Sequence, residues 1–453
     1  MNFLNALGTR FRMADPQHAA IFRGMLTVAL FTMLGKLMSA AKEMAVAYRY
    51  GLAAEVDAYQ FLFNLVAWPV GVWTSVLTAV LVPLAARVRA RDNAALPRFR
   101  AELLGFALLL GCVLAVAGGM GIHAMLALGM SGLPPTSLPL ARSALPGLIL
   151  LLPLGLLVAL QSAWMLAARR HVNTLLECVP PLFIATAILA VPGGGLGPLV
   201  WGTVVGGMAH LLSLMLPMAR RGQLEAPAFT RDSAQWQWFW KGFGIMLGGQ
   251  ALLSFTVIID QFYAVGLGTG AIATLAYANR VLSLILGLAA IAVARATLPV
   301  FSESASAGAG SVHGVAIHWA RLMFGAGIVV MLVSHAMAPW AIRLLFERGE
   351  FLPGDARVVA EALRYGLPQL PFYFSAMVLV SYALSQRRYG LIFWSGVIGC
   401  AGKIIGNLIL VPILGVNGIA LAATVVYAAN ALFFALSLRT GAGVRKEAHG
   451  DAR

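Results

Sequence analysis

The chain has 453 residues, of which 60% are hydrophobic and only 11% are charged, and its mean hydropathy is +0.84. Soluble domains carry about 25% charged residues, so this composition excludes a soluble protein and indicates an α-helical protein that crosses a membrane many times. The net charge of +15 does not imply nucleic-acid binding, because Lys and Arg collect at the cytoplasmic ends of membrane helices. The three cysteines are scattered in apolar segments, so no metal site and no cofactor are predicted.

Twelve apolar segments follow one another along the chain and predict twelve transmembrane helices. Their centres lie near residues 35, 72, 112, 155, 183, 208, 252, 285, 328, 372, 400 and 428. Basic clusters follow five of the six even-numbered segments, such as Arg387-Arg388 after the tenth, whereas opposite loops such as 266–270 have no basic residue. The loop after the eighth segment is only weakly basic, and the loop after the ninth is mixed in sign. By the positive-inside rule, both termini are therefore predicted to lie in the cytoplasm.

Internal matches about 216–221 residues apart indicate that the chain repeats after six helices. Gly71 and Pro83 in the second segment correspond to Gly287 and Pro299 in the eighth. The sequence thus predicts an all-α polytopic membrane protein of about 12 transmembrane helices, in two six-helix halves related by a pseudo-two-fold axis along the membrane normal. The predicted units are an N-terminal half at 1–222, a cytoplasmic linker at 223–240 and a C-terminal half at 241–453. Trp236, Trp238 and Trp240 are predicted to anchor the linker at the membrane interface.

Charged residues inside the first segment are the best indication of function, because a charge near the bilayer centre costs about 2.5–3.5 kcal/mol. Lys36 and Glu43 are seven residues apart and share one helix face, and Lys42 lies to one side of them. They could line a water-filled cationic cavity, or the lysines could extend to the membrane surface. Asp57 opens the second segment, where a carboxylate could serve only as a helix N-cap.

The second half has charged residues of its own. Asp260 lies in the seventh segment, and Asn279-Arg280 lie early in the eighth, so the two helices could place Asp260 near Arg280 as part of the cavity or as a structural ion pair. Lys403 and Asn407 share one face of the eleventh segment, where they could line the same cavity or hold neighbouring helices together.

Enzyme motifs are weak. Gly396 to Ile404 misses the spacing of a phosphate-binding loop and lies in a predicted membrane helix, so a transporter is expected rather than an enzyme. The chain offers no ATPase domain, so the work of transport is expected to come from an ion gradient, the membrane potential or the gradient of the substrate.

Three blocks resemble the MurJ/MviN lipid-linked precursor flippases of the multidrug/oligosaccharidyl-lipid/polysaccharide exporter superfamily. The first is similar to the family's opening pattern and comprises Lys36, Lys42-Glu43, Tyr50-Gly51 and Asp57-Ala58-Tyr59. The second, Tyr277-Ala278-Asn279-Arg280 followed by Gly287 and Leu298-Pro299, is similar to its YADR…G…LP stretch. The third, Leu345 to Phe351, is similar to its LFxRGxF element. The resemblance extends over nearly all of the chain.

The resemblance implies a flippase that moves an undecaprenyl-diphosphate-linked sugar across the bacterial cytoplasmic (inner) membrane by alternating access. It implies cavity cations at Lys36, Lys42 and Arg280, with Asp57 as the cavity carboxylate. Together with Glu43, Asp260, Tyr277, Asn279 and Lys403, these form the predicted substrate-binding set. The expected partners are the polyprenyl-diphosphate-linked sugar and the lipid bilayer. Coupling to a monovalent cation or a proton, and association with polysaccharide-synthesis enzymes, are left open.

The chain departs from the family pattern in ways that bear on the substrate. Lysines stand at the two positions of the first helix where the family has arginines, and lysine lacks the bidentate fork of arginine. Trp68 to Trp73 stand where the family has an arginine pair, and two further family helices are not expected after the twelfth. These departures favour a polyprenyl-linked oligosaccharide such as an exopolysaccharide or O-antigen unit over the peptidoglycan precursor. The alternatives are a cation-coupled multidrug exporter of the same superfamily and a non-transporting membrane scaffold for polysaccharide synthesis.

Overall fold

The computed structural model describes residues 16–91, 95–168, 172–191, 193, 195–287, 312–386 and 388–450. Within these ranges the chain forms fifteen α-helices and no strand. The helices are α1 Pro16–Tyr50, α2 Ala54–Arg91, α3 Ala95–Ala127, α4 Leu138–Leu148, α5 Leu151–Ala167, α6 Val172–Leu176, α7 Val179–Ala190, α8 Gly197–Ala219, α9 Gln235–Val265, α10 Ala271–Gly287, α11 Val312–Phe346, α12 Pro353–Gly366, α13 Gln369–Ser385, α14 Tyr389–Leu414 and α15 Val416–Gly450.

The described helices are long and apolar enough for a polytopic membrane protein. Seven spans, namely six single helices and α6 with α7, could each cross a bilayer, and the number rises to ten when three bent segments, α4 with α5, the two parts of α9, and α12 with α13, each count as one span. The remaining two predicted centres fall in α1, which carries several charges, and in the shorter α10. All twelve predicted centres therefore lie in helices, and the prediction of an all-α polytopic membrane protein is confirmed.

Bends occur where the backbone cannot continue a regular helix. The bend of 43° between α12 and α13 falls at Leu367-Pro368, where proline lacks the amide that a helix interior needs. The bend of 46° between α4 and α5 lies between Pro146 and Pro153. Such breaks leave one membrane span as two shorter helices.

The predicted division into two halves about an axis along the membrane normal stays a prediction. The second member of its best repeat match, Pro299, lies outside the described residues. One buried cluster nevertheless joins distant parts of the chain. It contains Tyr59 and Phe61 of α2, Tyr277 of α10 and Phe351 beyond α11.

The segment before α9 lies against the N-terminal helices. Residues 223–234 have no helix, and α9 begins at Gln235, so residues 235–240 of the predicted linker are helical. Trp236 is only 5% exposed, and its indole Nε1 donates to Glu102 of α3 at 2.7 Å. Trp238 and Trp240 are exposed. The predicted interfacial anchor is therefore wrong for Trp236, which is a core residue, and stays a prediction for the other two.

Candidate functional site

A three-residue ionic cluster joins the first helix to α10. Glu43 of α1 is 3% exposed, and its Oε1 accepts from Lys42 Nζ at 2.7 Å and from Arg280 Nε at 2.7 Å. A buried carboxylate needs such partners, because an unpaired charge in a low-dielectric interior is very costly. The cluster therefore fixes the position of Arg280 against a helix that lies more than two hundred residues earlier in the chain.

Arg280 keeps part of its donor capacity. Its bond to Glu43 uses Nε, its side chain is 44% exposed, and among the described residues its two terminal nitrogens have no hydrogen-bond partner. A guanidinium held through Nε presents the parallel pair of terminal N–H groups that matches a phosphate or carboxylate. Glu43 thus positions the guanidinium of Arg280 and leaves its terminal N–H groups unpaired among the described residues.

A cavity of about 110 Å³ lies beside this cluster. It is lined by α1, α10 and the end of α11 through Lys36, Ser39, Ala40, Glu43, Arg280, Val281, Ser283, Leu284, Leu345 and Phe346. Two cationic side chains and one carboxylate face it, and Lys42 lies directly behind that carboxylate. The lining therefore has two cationic side chains and one carboxylate among two serines and five apolar residues.

Lys36 reaches across to α10, where a glycine makes room for it. A Cβ placed on Gly287 would lie 3.0 Å from Lys36 Nζ, so any larger residue would push the ammonium aside. The presence of glycine at 287, the position that matches Gly71 in the sequence repeat, is thus explained by the close approach of the Lys36 side chain to the helix. Lys36 and Arg280 come from the first and the second predicted half, and both border this one cavity.

Asp57 serves as a helix cap, although not for its own helix. Its two carboxylate oxygens accept from the backbone amides of Gly270 at 2.5 Å and Ala273 at 2.8 Å, which are at the start of α10. Those amides have no intrahelical partner, and a negative charge is favoured there. Asp57 is 1% exposed and does not border the described cavity, so its implied role as cavity carboxylate stays a prediction.

Parts of all three family blocks meet at one end of the molecule, which we call the closed end and define by Tyr48, Gly51, Tyr277, Gly349 and Phe351. The Tyr277 hydroxyl donates to the Gly51 carbonyl at 3.2 Å, and its ring packs 5.4 Å from that of Phe351. The amide that follows Gly349 donates to the Tyr48 carbonyl at 2.9 Å. Tyr277 is 1% exposed and does not border the described cavity, so its place in the predicted substrate-binding set stays a prediction.

Asp260 pairs with α14 and not with Arg280. Its Oδ2 lies 3.0 Å from Lys403 Nζ, and its Oδ1 accepts from Asn407 Nδ2 at 3.0 Å. The expected approach of Asp260 to Arg280 is therefore wrong, because the side chain of Asp260 faces the eleventh predicted span and not the eighth. Asn279 is exposed beside Arg280 and does not border the described cavity.

Sequence reasoning missed residues in two places, the cavity and the contact between α3 and the linker. Leu345 and Phe346 line the cavity from α11, and the only signal for them was their place in the third block. Glu102 was also missed, although it is a lone acid among Arg98 and Arg100 at the start of an apolar helix. Among the described residues, no group of three or more His, Cys, Asp or Glu side chains could hold a metal ion.

Comparison with known proteins places this geometry in a family. The family model described as "Lipid II flippase MurJ" matches residues 46–449. The chain belongs to the MurJ family. Curated MurJ relatives include the "Lipid II flippase MurJ" of Burkholderia cenocepacia, which is 23% identical over 92% of this chain and 84% of its own length. These relatives are named as flippases, that is, as transporters.

Other MurJ relatives match over shorter stretches. The "Probable lipid II flippase MurJ" of Vibrio cholerae serotype O1 is 27% identical over 49% of this chain, and that of Bdellovibrio bacteriovorus is 28% identical over 44%. These two matches span only 42% and 36% of the lengths of the relatives.

Solved structures share the fold. The structure described as "Lipid II flippase MurJ, inward closed conformation" superposes with a TM-score of 0.79 at 18% identity, covering 91% of this chain and 87% of the other. An "Inward-facing conformation of a multidrug resistance MATE family transporter of the MOP superfamily" superposes with a TM-score of 0.73 at 15% identity, covering 93% and 99%. At these identities the superpositions establish the fold, which the MurJ and MATE proteins have in common.

Proposed function

We propose that this MurJ-family chain moves an undecaprenyl-diphosphate-linked oligosaccharide or peptidoglycan precursor across the bacterial cytoplasmic membrane by alternating access, with both termini in the cytoplasm. The observation that carries the proposal is that Lys36 and Arg280, one from each predicted half, line a single cavity. The family name and the names of the relatives support a lipid-linked precursor as the cargo.

The charges of the cavity suit a diphosphate. A head group that carries two phosphates loses its hydration in the membrane, and charged N–H donors must replace it. Arg280 offers two parallel donors, and Lys36 adds a single cationic donor on the opposite wall. Lys42 offsets the negative charge of Glu43, so the site as a whole attracts an anion.

The cavity must widen before it can hold such a cargo. Its volume of about 110 Å³ is well below the roughly 300–1,000 Å³ of pockets that enclose small organic ligands. The cavity wall consists of α1 on one side and of α10 and α11 on the other, so separation of these helices enlarges it. By the predicted topology the closed end faces the outside, and the cargo enters from the cytoplasmic side.

The lysine in the cavity bears on how the site holds the phosphates. Lys36 is a point charge that accepts many geometries, whereas arginine forks select a planar pair of oxygens. We infer that this site discriminates less by phosphate geometry than a site built from arginines. An exopolysaccharide or O-antigen unit fits this chain as well as a peptidoglycan precursor does.

Substitution of the cavity cations tests the proposal. We expect Arg280→Ala and Lys36→Ala each to reduce translocation of a fluorescent undecaprenyl-diphosphate-linked sugar in proteoliposomes by about 10- to 100-fold. The reason is that a hydrogen bond to a charged group contributes about 1.5–3 kcal/mol. Arg220→Ala is the matched control, because Arg220 is exposed at the end of α8, and it should transport normally.

Insertion and folding are checked by thermal unfolding of each purified variant. Full transport by both cavity variants would contradict the assignment of the site. Loss of transport in Arg220→Ala as well would show that the assay reports general damage.

A further inference from the structure

A second charged cluster lies in the C-terminal half, away from the cavity. Lys403 of α14 is 4% exposed, and its ammonium lies 3.0 Å from Asp260 Oδ2 on α9. The same ammonium donates to the backbone carbonyl of Ile419 in the first turn of α15 at 3.1 Å. One lysine therefore holds three helices together through a carboxylate and a carbonyl oxygen.

Asn407 completes the surroundings of this lysine. It lies one turn after Lys403 on α14, it is fully buried, and its amide nitrogen donates to Asp260 Oδ1 at 3.0 Å. Its own Oδ1 is buried and has no hydrogen-bond partner among the described residues. The Asp260 carboxylate on α9 and the Ile419 backbone carbonyl on α15 lie 3.0 and 3.1 Å from the ammonium, and carboxylate and carbonyl oxygens are the donors that bind a hard cation.

The packing around the cluster leaves the ammonium little freedom. A Cβ on Gly406 would lie 3.0 Å from the Cβ of Ala422, so α14 and α15 are in close contact one turn from Lys403. Cys400 Sγ donates to the Leu252 carbonyl at 3.0 Å and holds α14 against α9 on the other side. The place between Asp260 and Ile419 thus has room for one positive group, and Lys403 occupies it.

We propose that Lys403 is a tethered cation that fills a monovalent-cation site formed by Asp260 and the Ile419 carbonyl, with Asn407 holding Asp260 in place. The C-terminal half accordingly keeps α9, α14 and α15 together without taking up a free cation there. Removal of the ammonium leaves the partly buried carboxylate of Asp260 without a counter-charge, which is costly in a membrane interior, and opens the space between Asp260 and the Ile419 carbonyl to a free ion. This inference goes beyond the proposed function, because it holds whatever cargo the cavity carries.

The proposal is tested by thermal unfolding of the purified full chain in sodium chloride or potassium chloride. Choline chloride keeps the ionic strength constant. We expect the melting temperature of the wild type to be independent of which cation is present. Lys403→Ala should have a lower melting temperature in choline, and this temperature should rise by about 2–4 °C as sodium or potassium saturates the vacated site. The double variant Asp260→Asn/Lys403→Ala is the matched control. It has the same vacated volume but no carboxylate, so it should show no response to either cation.

Two results would overturn the proposal. The first is a folded Lys403→Ala whose response to sodium and potassium equals that of the double variant. The second is a saturable cation response in the wild type that Asp260→Asn abolishes, since a free ion would then bind despite the lysine. Where Lys403→Ala does not fold in any salt, Lys403→Asn supplies an oxygen in place of the ammonium and is measured in the same way. The titration of the wild type with sodium and potassium tests the proposal whether or not the Lys403 variants fold.

Discussion

At the scale of single residues, carboxylates organise the cations and helix ends around the cavity. Glu43 joins Lys42 to Arg280 and leaves the outer N–H groups of Arg280 available. Asp57 performs a different task, since both of its oxygens are used by amides of Gly270 and Ala273. The two acids of the first family block therefore have different roles. Glu43 positions the cation Arg280, and Asp57 caps the helix that carries it.

The cap at α10 gives a residue-scale prediction. Asp57→Ala should lower the free energy of unfolding by about 1–3 kcal/mol, because it leaves two buried amides without an acceptor. Thermal or denaturant unfolding of the purified variant measures the loss. Glu55→Ala removes a carboxylate two residues earlier on the same helix and should change stability little, because Glu55 is only partly buried. Equal stability of the two variants would show that the cap contributes nothing.

At the scale of elements, the closed end is built from backbone contacts that only small residues permit. Gly349 has a φ of +63°, and a Cβ on it would overlap the Tyr48 carbonyl oxygen. Gly51 has a φ of +53°, and a Cβ there would meet the Glu350 carbonyl at 2.5 Å. The glycines of the first and third family blocks thus let the end of α1 and the loop after α11 meet directly.

Gly349→Ala should consequently loosen the closed end. The added methyl collides with backbone, which cannot move aside like a flexible side chain, and an alanine at positive φ is strained as well. We expect faster hydrogen exchange in the segment 346–352 and a lower melting temperature. Gly354→Ala is the control, because a Cβ there meets nothing within 4 Å. Unchanged exchange in Gly349→Ala would argue against a closed end held by this contact.

The linker before α9 is a second element with a defined anchor. Glu102 accepts from Trp236 Nε1 and from the Ser233 amide at 3.2 Å, and it is 1% exposed. Glu102→Ala should therefore free the linker and speed tryptic cleavage after Arg231. Asp232→Ala is the matched control, because it breaks only the exposed pair with Arg98, and such pairs contribute about 0–1 kcal/mol. Equal cleavage rates in the two variants would show that Glu102 does not hold the linker.

At the scale of the whole molecule, the sequence predicts the positions of the helices better than it predicts which helices pack together. Twelve helix centres followed from apolar length alone, because a bilayer imposes one requirement on every span. The partners of Asp260 did not follow, because the nearest helix in sequence was assumed to be the nearest in space. In the structure Asp260 faces α14, which lies about 140 residues further along the chain. The partners of Glu43 and Asp57 depend on the same kind of long-range packing.

The molecule as a whole has a cavity between α1, α10 and α11, whose charged lining residues are Lys36, Arg280 and Glu43, and a closed end built from backbone contacts. In the same framework, Asp260 and Lys403 stabilise the C-terminal helices apart from that cavity. A site for organic cations would require acidic and aromatic side chains, whereas Lys36 and Arg280 dominate this one. The arrangement favours an anionic cargo over the multidrug alternative.

Translocation by the purified wild-type chain tests this account most directly. Proteoliposomes containing the protein should move a fluorescent undecaprenyl-diphosphate-linked sugar between leaflets, measured by its accessibility to an impermeant quencher, and should not move an organic cation such as ethidium. Protein-free liposomes and Arg280→Ala provide the background rates. Transport of ethidium without movement of the lipid-linked sugar would contradict the account in favour of a multidrug exporter, and movement of neither would favour a scaffold.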